Sequence, residues 1–299
     1  MTDRVSHLTE QAQAALALTV DERIERMRRP RWIGYTRAHQ ILAQLEQVLT
    51  HPKTHRMPGM LIVGDTNAGK TMLANRFVQQ HLATEQPAGE AAVVPVVALQ
   101  APPGPDESRF YNSVFEALYA PYHAREHVAK KQWQVVRLLQ RLHVRMVIID
   151  ELNNIITGPV SKQRQFLQVL KYLSNELQIP LVGVGTPEAL RAVQADPQLA
   201  NRFEPVALPR WRMGQDFLRL LASFERALPL RQPSHLAAEP LAYKLLALSE
   251  GNLGALVTLL TRAAIFAVRT GSEQINDHVL AALDWVPPSE RRRQAERLV

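Results

Sequence analysis

The chain has 299 residues, a formal net charge of +7, no cysteine and 46% hydrophobic residues. This length allows one large or two smaller domains, and the absence of cysteine excludes disulfides and thiolate metal sites and favours a cytoplasmic location. We find no apolar run long enough to cross a bilayer and no hydrophobic signal core, so we expect neither export nor a membrane partner. The positive charge favours an acidic partner, nucleic acid first and anionic membrane second, although ordinary solubility charge is a competing explanation.

Helical patterns come first along the chain. Residues 9–29 form a polar helical pattern that ends at Pro30, and residues 35–49 carry apolar residues at helical spacing. Basic residues cluster from Arg23 to Arg31 and again from Arg291 to Arg297. Such runs are more often solvated helix faces than binding sites, so they do not by themselves predict nucleic acid binding.

Strands then alternate with helices up to about residue 210. Short strands separated by helices predict an α/β fold with a parallel sheet that is covered on both sides. After residue 210 only helical patterns follow, and Gly251 and Gly271 are predicted to end two of them. We therefore predict a helical segment (1–50), an α/β core (51–210) and a helical domain with a basic tail (211–299). The predicted strands are Met60–Val63, Ala91–Leu99, Met146–Ile149, Leu181–Val184 and Val206–Leu208.

The stretch GDTNAGKT has the Walker A form G-x-x-x-x-G-K-[ST], between a predicted strand and a predicted helix. Gly64 and Gly69 permit a tight loop whose N–H groups converge on phosphate oxygens, and the helix N-terminus adds partial positive charge. Lys70 would reach the β- and γ-phosphates, and Thr71 would offer its hydroxyl to Mg²⁺. This context favours a nucleotide site over a chance match. The predicted nucleotide-binding residues are Gly64, Asp65, Thr66, Asn67, Ala68, Gly69, Lys70, Thr71 and Met72.

The stretch MVIIDEL predicts a buried strand with two carboxylates at its end. Ligands of open α/β sheets bind at the carboxyl ends of the strands. Asp150 can therefore hold Mg²⁺, and Glu151 can act as the general base on the attacking water. The adjacent glutamate favours a hydrolytic NTPase over a kinase for small molecules.

Two further residues are candidates for catalysis. Thr186 ends the fourth strand, where a polar residue could contact the γ-phosphate or orient water, although TPEAL is also typical of a helix N-cap. Arg202 precedes the last strand and could act in trans as an arginine finger. Its rivals are Arg191, Arg210 and Arg212, and a plain surface arginine is the alternative.

With these motifs the chain resembles AAA+ ATPases, and within them it is similar to the TniB family, relatives of TnsC that act in bacterial DNA transposition. The resemblance spans about residues 25 to 212. The phosphate loop is shared by the whole superfamily, whereas the Trp32/Tyr35 segment, the Pro-rich turn after the second strand and NRF are more specific. The residues that carry it are RWIGYTRAHQIL, RMPGMLIVGDTNAGKTML, VVALQAPPGPDESRFYNSVFEALYAPY, MVIIDELNNI, PLVGVGTPEA and NRFEPVALPRW.

The resemblance implies an ATPase core with sheet order 5-1-4-3-2 and a helical lid. It implies that the protein binds ATP with Mg²⁺, assembles with ATP on double-stranded DNA as a ring or helical filament, and marks target DNA for a TniA-like transposase with a TniQ-like target-site adaptor. Thr186 matches the sensor-one position and Arg202 the arginine finger. Tyr35 lies in a segment that matches the part near adenine, for which a hydrophobic staple is the alternative.

The implied DNA contacts follow the second strand and the Asp150 strand. They should meet phosphates, since a target marker needs affinity without sequence preference. Scattered surface charge is the alternative reading. The nominated residues are Arg109, Arg125 and Lys162, with help from Lys130 and Lys131.

One position departs from the AAA+ pattern. Gly254 stands where many AAA+ proteins carry a lid arginine, and Arg262, two turns further on, is not expected to replace it. The missing lid arginine suggests modest hydrolysis. Two other functions stay open: a loader or remodeller that acts on a protein such as a helicase, and a nucleotide-gated scaffold. The positive net charge and the detailed match of the motifs favour a protein that marks target DNA over these two alternatives.

Overall fold

The computed structural model of the protein describes residues 7–85 and 92–298. The chain forms two compact units, one of Met1–Thr36 with Arg210–Val299 and one of Arg37–Pro209. We call the first the helical unit and the second the sheet unit.

The sheet unit contains a five-stranded sheet in the order β2-β3-β4-β1-β5, and all its strand pairs are parallel. Read from the opposite edge this order is 5-1-4-3-2, so the predicted fold class and strand order are confirmed. The strands are β1 (Gly59–Gly64), β2 (Val96–Gln100), β3 (Met146–Asp150), β4 (Leu181–Gly185) and β5 (Phe203–Leu208).

Helices cover this sheet because its central strands are apolar on both faces. Alternate residues of a strand point to opposite faces, and all six residues of β1 are buried. On one face the rings of Phe110 and Phe166 meet edge to face at 5.4 Å. The helical segments are α3 (Thr36–Leu49), α4 (Lys70–Gln80), α5 (Glu107–Ala117), α6 (Val128–Arg141), the 3₁₀ segment Leu152–Thr157, α7 (Val160–Leu177), α8 (Pro187–Gln194) and α9 (Pro197–Ala200).

The helical unit packs around a core formed mainly by residues within 215–227, 239–249 and 253–270. Phe217, Leu221, Leu256 and Leu260 are among its fully or almost fully buried side chains. Its helices are α1 (Glu10–Ala15), α2 (Val20–Arg28), α10 (Gln215–Ala227), α11 (Glu239–Ser249), α12 (Leu253–Thr270), α13 (Asp277–Ala282) and α14 (Pro288–Glu296).

The helical pattern predicted over residues 9–29 forms two helices, because a capping box divides this stretch. The Thr19 hydroxyl accepts a hydrogen bond from the backbone N–H of Glu22, and the Glu22 carboxylate accepts one from the N–H of Thr19. This reciprocal pair starts a new helix at Val20. The stretch therefore forms α1 and α2.

Two strand predictions need correction. The second strand begins at Val96 instead of Ala91, which lies outside the described residues; Val93 instead forms an isolated antiparallel bridge with Thr84. The fifth strand begins at Phe203, three residues before the predicted start. Glu204 and Pro205 interrupt its apolar pattern, and an edge strand tolerates a proline that a central strand would not.

Helix α12 is, by length and composition alone, long and apolar enough to cross a membrane, with a mean hydropathy of 1.5. The expectation that no apolar run reaches this length is therefore wrong. Eight of its residues, including Leu259 and Ala263, are buried inside the helical unit, as in the core helix of a globular domain. Gly271 caps its end with φ 74°, and Gly251 follows α11 with φ 68°, so both predicted glycine stops are confirmed.

Candidate nucleotide-binding site

The strand order brings three polar segments to one edge of the sheet. The phosphate loop follows β1, Thr186 follows β4, and Asp150 ends β3, which pairs with the other side of β4. Because the strands are parallel, their carboxyl ends meet at the same edge. We call this edge the P-loop edge.

Backbone geometry explains both glycines of the phosphate loop. Gly69 has φ 92° at the start of α4, a conformation that strains residues with a side chain, and Asn67 also has positive φ at 62°. Gly64 is required for space instead: a Cβ there would lie 2.8 Å from the carbonyl oxygen of Leu208 on β5. The loop therefore depends on close packing at its start and on a left-handed turn at its end.

Lys70 lies almost fully buried under the loop, with 8% of its surface exposed. Its Nζ donates hydrogen bonds to the carbonyl oxygens of Gly64 and Asp65, each at 2.8 Å. Burial lowers the pKa of Lys70, and the carboxylates of Glu151, Asp150 and Asp65 oppose that shift. A buried ammonium held by neutral carbonyls, beside a turn of backbone N–H groups, fits the phosphates of a nucleotide.

The carboxylates after β3 are held in fixed positions. Glu151 has φ 53°, and its backbone N–H donates to Asp150 Oδ1 at 2.8 Å. Asn153 Nδ2 donates to Glu151 Oε2 at 3.0 Å, while Asn153 Oδ1 is buried without a hydrogen-bond partner among the described residues. Sequence reasoning missed Asn153, although its place two residues after the predicted general base was a usable signal.

The residues at the P-loop edge also fit Mg²⁺ as a companion of the phosphates. Thr71 is exposed in the first turn of α4, and the Asp150 carboxylate is half-buried. Within residues 7–85 and 92–298 no group of three or more His, Asp or Glu residues forms a protein-only metal cage. One hydroxyl and one carboxylate suit Mg²⁺, which usually keeps waters and substrate oxygens among its ligands.

Thr186 occupies the N-cap position of α8, and Pro187 is the first helical residue. Its hydroxyl does not form the expected capping bond. Interaction with this hydroxyl is the main cause that lowers the pKa of Glu188. The hydroxyl lies between the phosphate loop and the β3 carboxylates in strand order, where a γ-phosphate contact was predicted.

Arg202 lies at the opposite end of the sheet from the phosphate loop. Its carbonyl accepts a hydrogen bond from the N–H of Gly59 at 2.7 Å, at the amino end of β1. Gly64 lies five residues along β1, a rise of about 16 Å, which exceeds the reach of one arginine side chain. Arg202 Nη1 donates to Asn175 Oδ1 at 2.7 Å. Burial, followed by repulsion from Arg56, lowers the pKa of Arg202.

The three rivals of Arg202 have different surroundings. Arg191 is exposed and pairs with Glu188 at 2.7 Å. Arg210 and Arg212 belong to the helical unit, where Arg210 donates weakly to the carbonyl of Glu250 at 3.5 Å.

The segment expected near adenine is held by aromatic packing. The rings of Tyr35 and Trp211 meet edge to face at 5.0 Å inside the helical unit. This packing agrees with the alternative of a hydrophobic contact for the segment, and the adenine contact stays a prediction. Arg262 lies over the Trp285 ring at 5.9 Å, while Gly254, at the position of the lid arginine, is in the first turn of α12.

The three residues nominated as DNA contacts are exposed, but one of the two lysines expected to assist them is buried. Arg109 pairs loosely with Asp106 at 3.6 Å on α5, Arg125 is exposed before α6, and Lys162 is exposed in the first turn of α7. Lys130 is exposed and pairs with Glu126. Lys131 is fully buried, so its nomination as a DNA contact is wrong.

Lys131 instead joins three parts of the sheet unit. Its Nζ donates to Ser108 Oγ at 3.0 Å, and to Asn112 Oδ1 and the Ala124 carbonyl at 2.8 Å each. Because all three acceptors are neutral, their hydrogen bonds must offset the cost of burying the charge. The lysine holds α5, α6 and the segment between them together.

Comparison with solved structures supports this fold. The chain is similar to the ORC2 protein of Aeropyrum pernix in its ADPNP-ADP complexes, with a TM-score of 0.60 and 17% identity over 85% of this chain and 70% of that chain. It is also similar to the ORC1 protein of the same organism in complex with DNA (TM-score 0.56, 18% identity, 89% and 66% of the two chains). It is similar as well to Cdc6p from Pyrobaculum aerophilum, with a TM-score of 0.59 and 16% identity over 84% of this chain and 68% of that chain. At these identities the likeness shows that the fold is shared.

A search of curated proteins found no significant match. The model of a bacterial family, described as Bacterial TniB protein, matches residues 23–213. This match covers well over half of the chain, including the phosphate loop, the β3 carboxylates, Thr186 and Arg202. The chain therefore belongs to the TniB family.

Proposed function

We propose that this protein is an ATPase that oligomerises with ATP on double-stranded DNA, without sequence preference, and marks the target DNA for a transposase. The observation that carries the proposal is the placement of functional groups at both ends of one sheet. Lys70, Asp150 and Glu151 lie at the P-loop edge, and Arg202 lies at the amino end of β5. Membership of the TniB family supports transposition as the setting.

Each residue of the P-loop edge has a role in this proposal. Lys70 exchanges its two carbonyl partners for β- and γ-phosphate oxygens, and Thr71 with Asp150 would hold Mg²⁺, which neutralises developing phosphate charge when bound. Glu151 accepts the proton of the attacking water, with its carboxylate oriented by Asn153. The Thr186 hydroxyl orients that water or the γ-phosphate.

The position of Arg202 supports action between subunits. Its distance from the phosphate loop of its own chain, about 16 Å of strand, prevents it from serving that site. The guanidinium would instead complete the nucleotide site of a neighbour, so ATP would bridge two copies in a ring or helical filament. Hydrolysis would then remove the bridge and dismantle the assembly.

The DNA-binding part of the proposal rests on exposed cations and on fold relatives. Arg109, Arg125 and Lys162 are exposed on the sheet unit, and one similar solved structure is an ORC1 protein in complex with DNA. Contacts to phosphates would give affinity without sequence preference. A TniA-like transposase and a TniQ-like adaptor are the proposed protein partners.

The test is binding of random duplex DNA with ADP, ATP and a slowly hydrolysed ATP analogue, followed by filter retention and electron microscopy at two salt concentrations. We expect salt-sensitive oligomers with ATP or the analogue and none with ADP. Lys70→Ala should abolish them by removing the phosphate contact. Arg202→Ala should abolish them while leaving ATP binding to the monomer intact.

Arg191→Ala is the matched control, since it removes an exposed arginine of the same unit that only pairs with Glu188. It should assemble like the unchanged protein. DNA binding that is absent, or equal in all nucleotide states, would contradict the proposal and favour a remodeller of a protein partner. An Arg202→Ala protein that still assembles would contradict the trans role alone.

A further inference from the structure

A basic cavity lies within the helical unit, where α1, the end of α2 and the end of α10 meet. Its volume is about 800 Å³, in the range of small-ligand sites. Arginines surround it, with Trp32 as an aromatic wall and Glu10 as a carboxylate on its lining. The arginines are Arg26, Arg29, Arg31 and Arg226.

Two of these guanidiniums are fixed by backbone carbonyls. Arg31 donates to the carbonyl oxygens of Ala227 at 2.7 Å and Met27 at 2.9 Å, near the ends of two helices. Arg26 donates to the Gln11 carbonyl at 3.2 Å. Arg31 Nη2 also lies 3.4 Å from the Arg26 carbonyl, and both arginines line the cavity. Burial and then repulsion from Arg26 lower the pKa of Arg31.

The negative groups nearby offset only part of this charge. Arg29 pairs with Glu25 at 2.7 Å, and Glu10 faces the cavity. The ends of α2 and α10 each supply roughly half a negative charge, which leaves about one positive charge in excess. Arg226 is exposed, and its guanidinium has no hydrogen-bond or ion-pair partner in the described chain.

We propose that this cavity binds a phosphate group. The forked N–H groups of several arginines can bind different oxygens of one phosphate, whereas a carboxylate offers only two oxygens. Two sources share this chemistry, the phosphodiester backbone of DNA and a free phosphorylated compound. The site is separate from the phosphate loop, and the inference does not depend on ATP-driven assembly.

The test uses a Lys70→Ala background without ATP, so that the phosphate loop contributes little. Pyrophosphate is titrated by calorimetry, and binding of a short random duplex is measured over a range of salt concentrations. We expect Arg226→Gln to weaken pyrophosphate binding about tenfold, because one charge-assisted hydrogen-bond donor is lost. If the site serves DNA, the slope of log K against log salt should also fall by about 0.9.

Arg269→Gln is the matched control. Arg226 and Arg269 are both exposed arginines in the last turn of a helix, so both changes remove the same interaction with a helix end. Arg26→Gln is a second variant in the cavity. Circular dichroism would confirm that each variant is folded.

Each outcome decides the proposal. Weaker pyrophosphate binding with an unchanged DNA slope assigns the site to free phosphorylated compounds, and a reduced slope assigns it to DNA. If Arg226→Gln and Arg26→Gln bind both probes like Arg269→Gln, or if the background protein binds neither probe, the proposal is overturned.

Discussion

The P-loop edge and the helical unit hold buried charge in different ways. Lys70 is surrounded by carbonyl oxygens, with carboxylates near enough to oppose the lowering of its pKa. Arg23 in the helical unit is 2% exposed and pairs with both oxygens of Glu273, at 3.0 and 2.7 Å. The hydrogen-bond acceptors of Lys70 are neutral carbonyl groups, whereas Arg23 is held by the carboxylate of Glu273.

Lys131 shows that neutral partners alone do not mark a functional site. It lies in the sheet unit like Lys70 and has only neutral acceptors, but these enclose it completely. Lys70 differs because its ammonium lies beside the left-handed turn at Gly69 and the carboxylates of β3. Substitutions at these positions should therefore affect different properties.

Glu151→Gln should have the largest effect, on catalysis alone. We expect the ATPase rate to fall about 10²- to 10⁴-fold, because the general base is lost while the amide keeps the shape of the side chain. Nucleotide affinity and urea unfolding should stay unchanged. The control is Glu176→Gln, an exposed carboxylate on α7. Retained hydrolysis in Glu151→Gln would show that this carboxylate is not the base.

Arg23→Ala should affect stability alone. Removing Arg23 breaks a largely buried pair and leaves Glu273 with only Arg231, whose N–H donates at 3.1 Å and whose exposed guanidinium lies 3.7 Å away. We therefore expect a loss of about 3 kcal/mol in the free energy of unfolding. Urea titration followed by tryptophan fluorescence suits this test, because Trp211 and Trp285 lie in the same unit. Lys244→Ala, which breaks the exposed pair with Asp277, should cost less than about 1 kcal/mol. Equal losses would contradict a larger contribution of the buried pair to stability.

Lys131→Met separates buried from exposed lysines in the sheet unit. Three acceptors lose their donor while a buried charge is also removed, so we expect a net loss of about 1–3 kcal/mol in the free energy of unfolding. DNA affinity of the folded protein should not change. Lys130→Met should leave stability unchanged and, if Lys130 meets a phosphate, reduce the salt slope of DNA binding by about 0.9. A Lys131→Met protein with weakened DNA binding and full stability would contradict the structural role.

The smallest expected effect is on the pH dependence of stability. Burial raises the pKa of Glu273, but hydrogen bonds from Arg23 and the Arg231 N–H outweigh it and hold the pKa below its ordinary value of 4.5. The pair therefore stabilises the fold fully above pH 4.5 and loses this contribution as the pH falls through the lowered pKa. Unfolding free energies from pH 7 to pH 3 should fall less steeply for Glu273→Gln, whereas Glu176→Gln should follow the unchanged protein. Parallel curves for Glu273→Gln and the unchanged protein would contradict this linkage.

Sequence reasoning predicted the sheet because its central strands are short apolar runs bounded by clear motifs. Helix and strand boundaries were predicted less accurately where a capping motif or a proline interrupts the hydrophobic pattern. The capping box at Thr19 and Glu22 was visible as T-x-x-E but lay inside a continuous helical pattern. Pro205 hid the start of β5, because a proline argues against a strand unless the strand lies at an edge.

Some features of the candidate site could be predicted from local motifs, and others depend on tertiary packing. Local motifs nominated the phosphate loop and the β3 carboxylates, and strand order explains why they share one edge. The spacing of Lys131, Val135 and Leu139 could have predicted that Lys131 is buried, but its charge was given more weight. The Asn175 partner of Arg202 and the place of Arg226 beside Arg26 depend on tertiary packing that no local pattern carries.

The close contact between Gly64 and Leu208 has a consequence for the spacing of nucleotide sites. β1 and β5 are paired along their whole length, from Gly59 opposite Phe203 to Gly64 opposite Leu208. Arg202 lies at one end of this two-strand ribbon and the phosphate loop at the other. The length of these paired strands therefore fixes the distance between Arg202 and the phosphate loop within one chain. In an assembly in which each Arg202 reaches the next subunit, the length of two hydrogen-bonded strands would set the interval between successive ATP molecules.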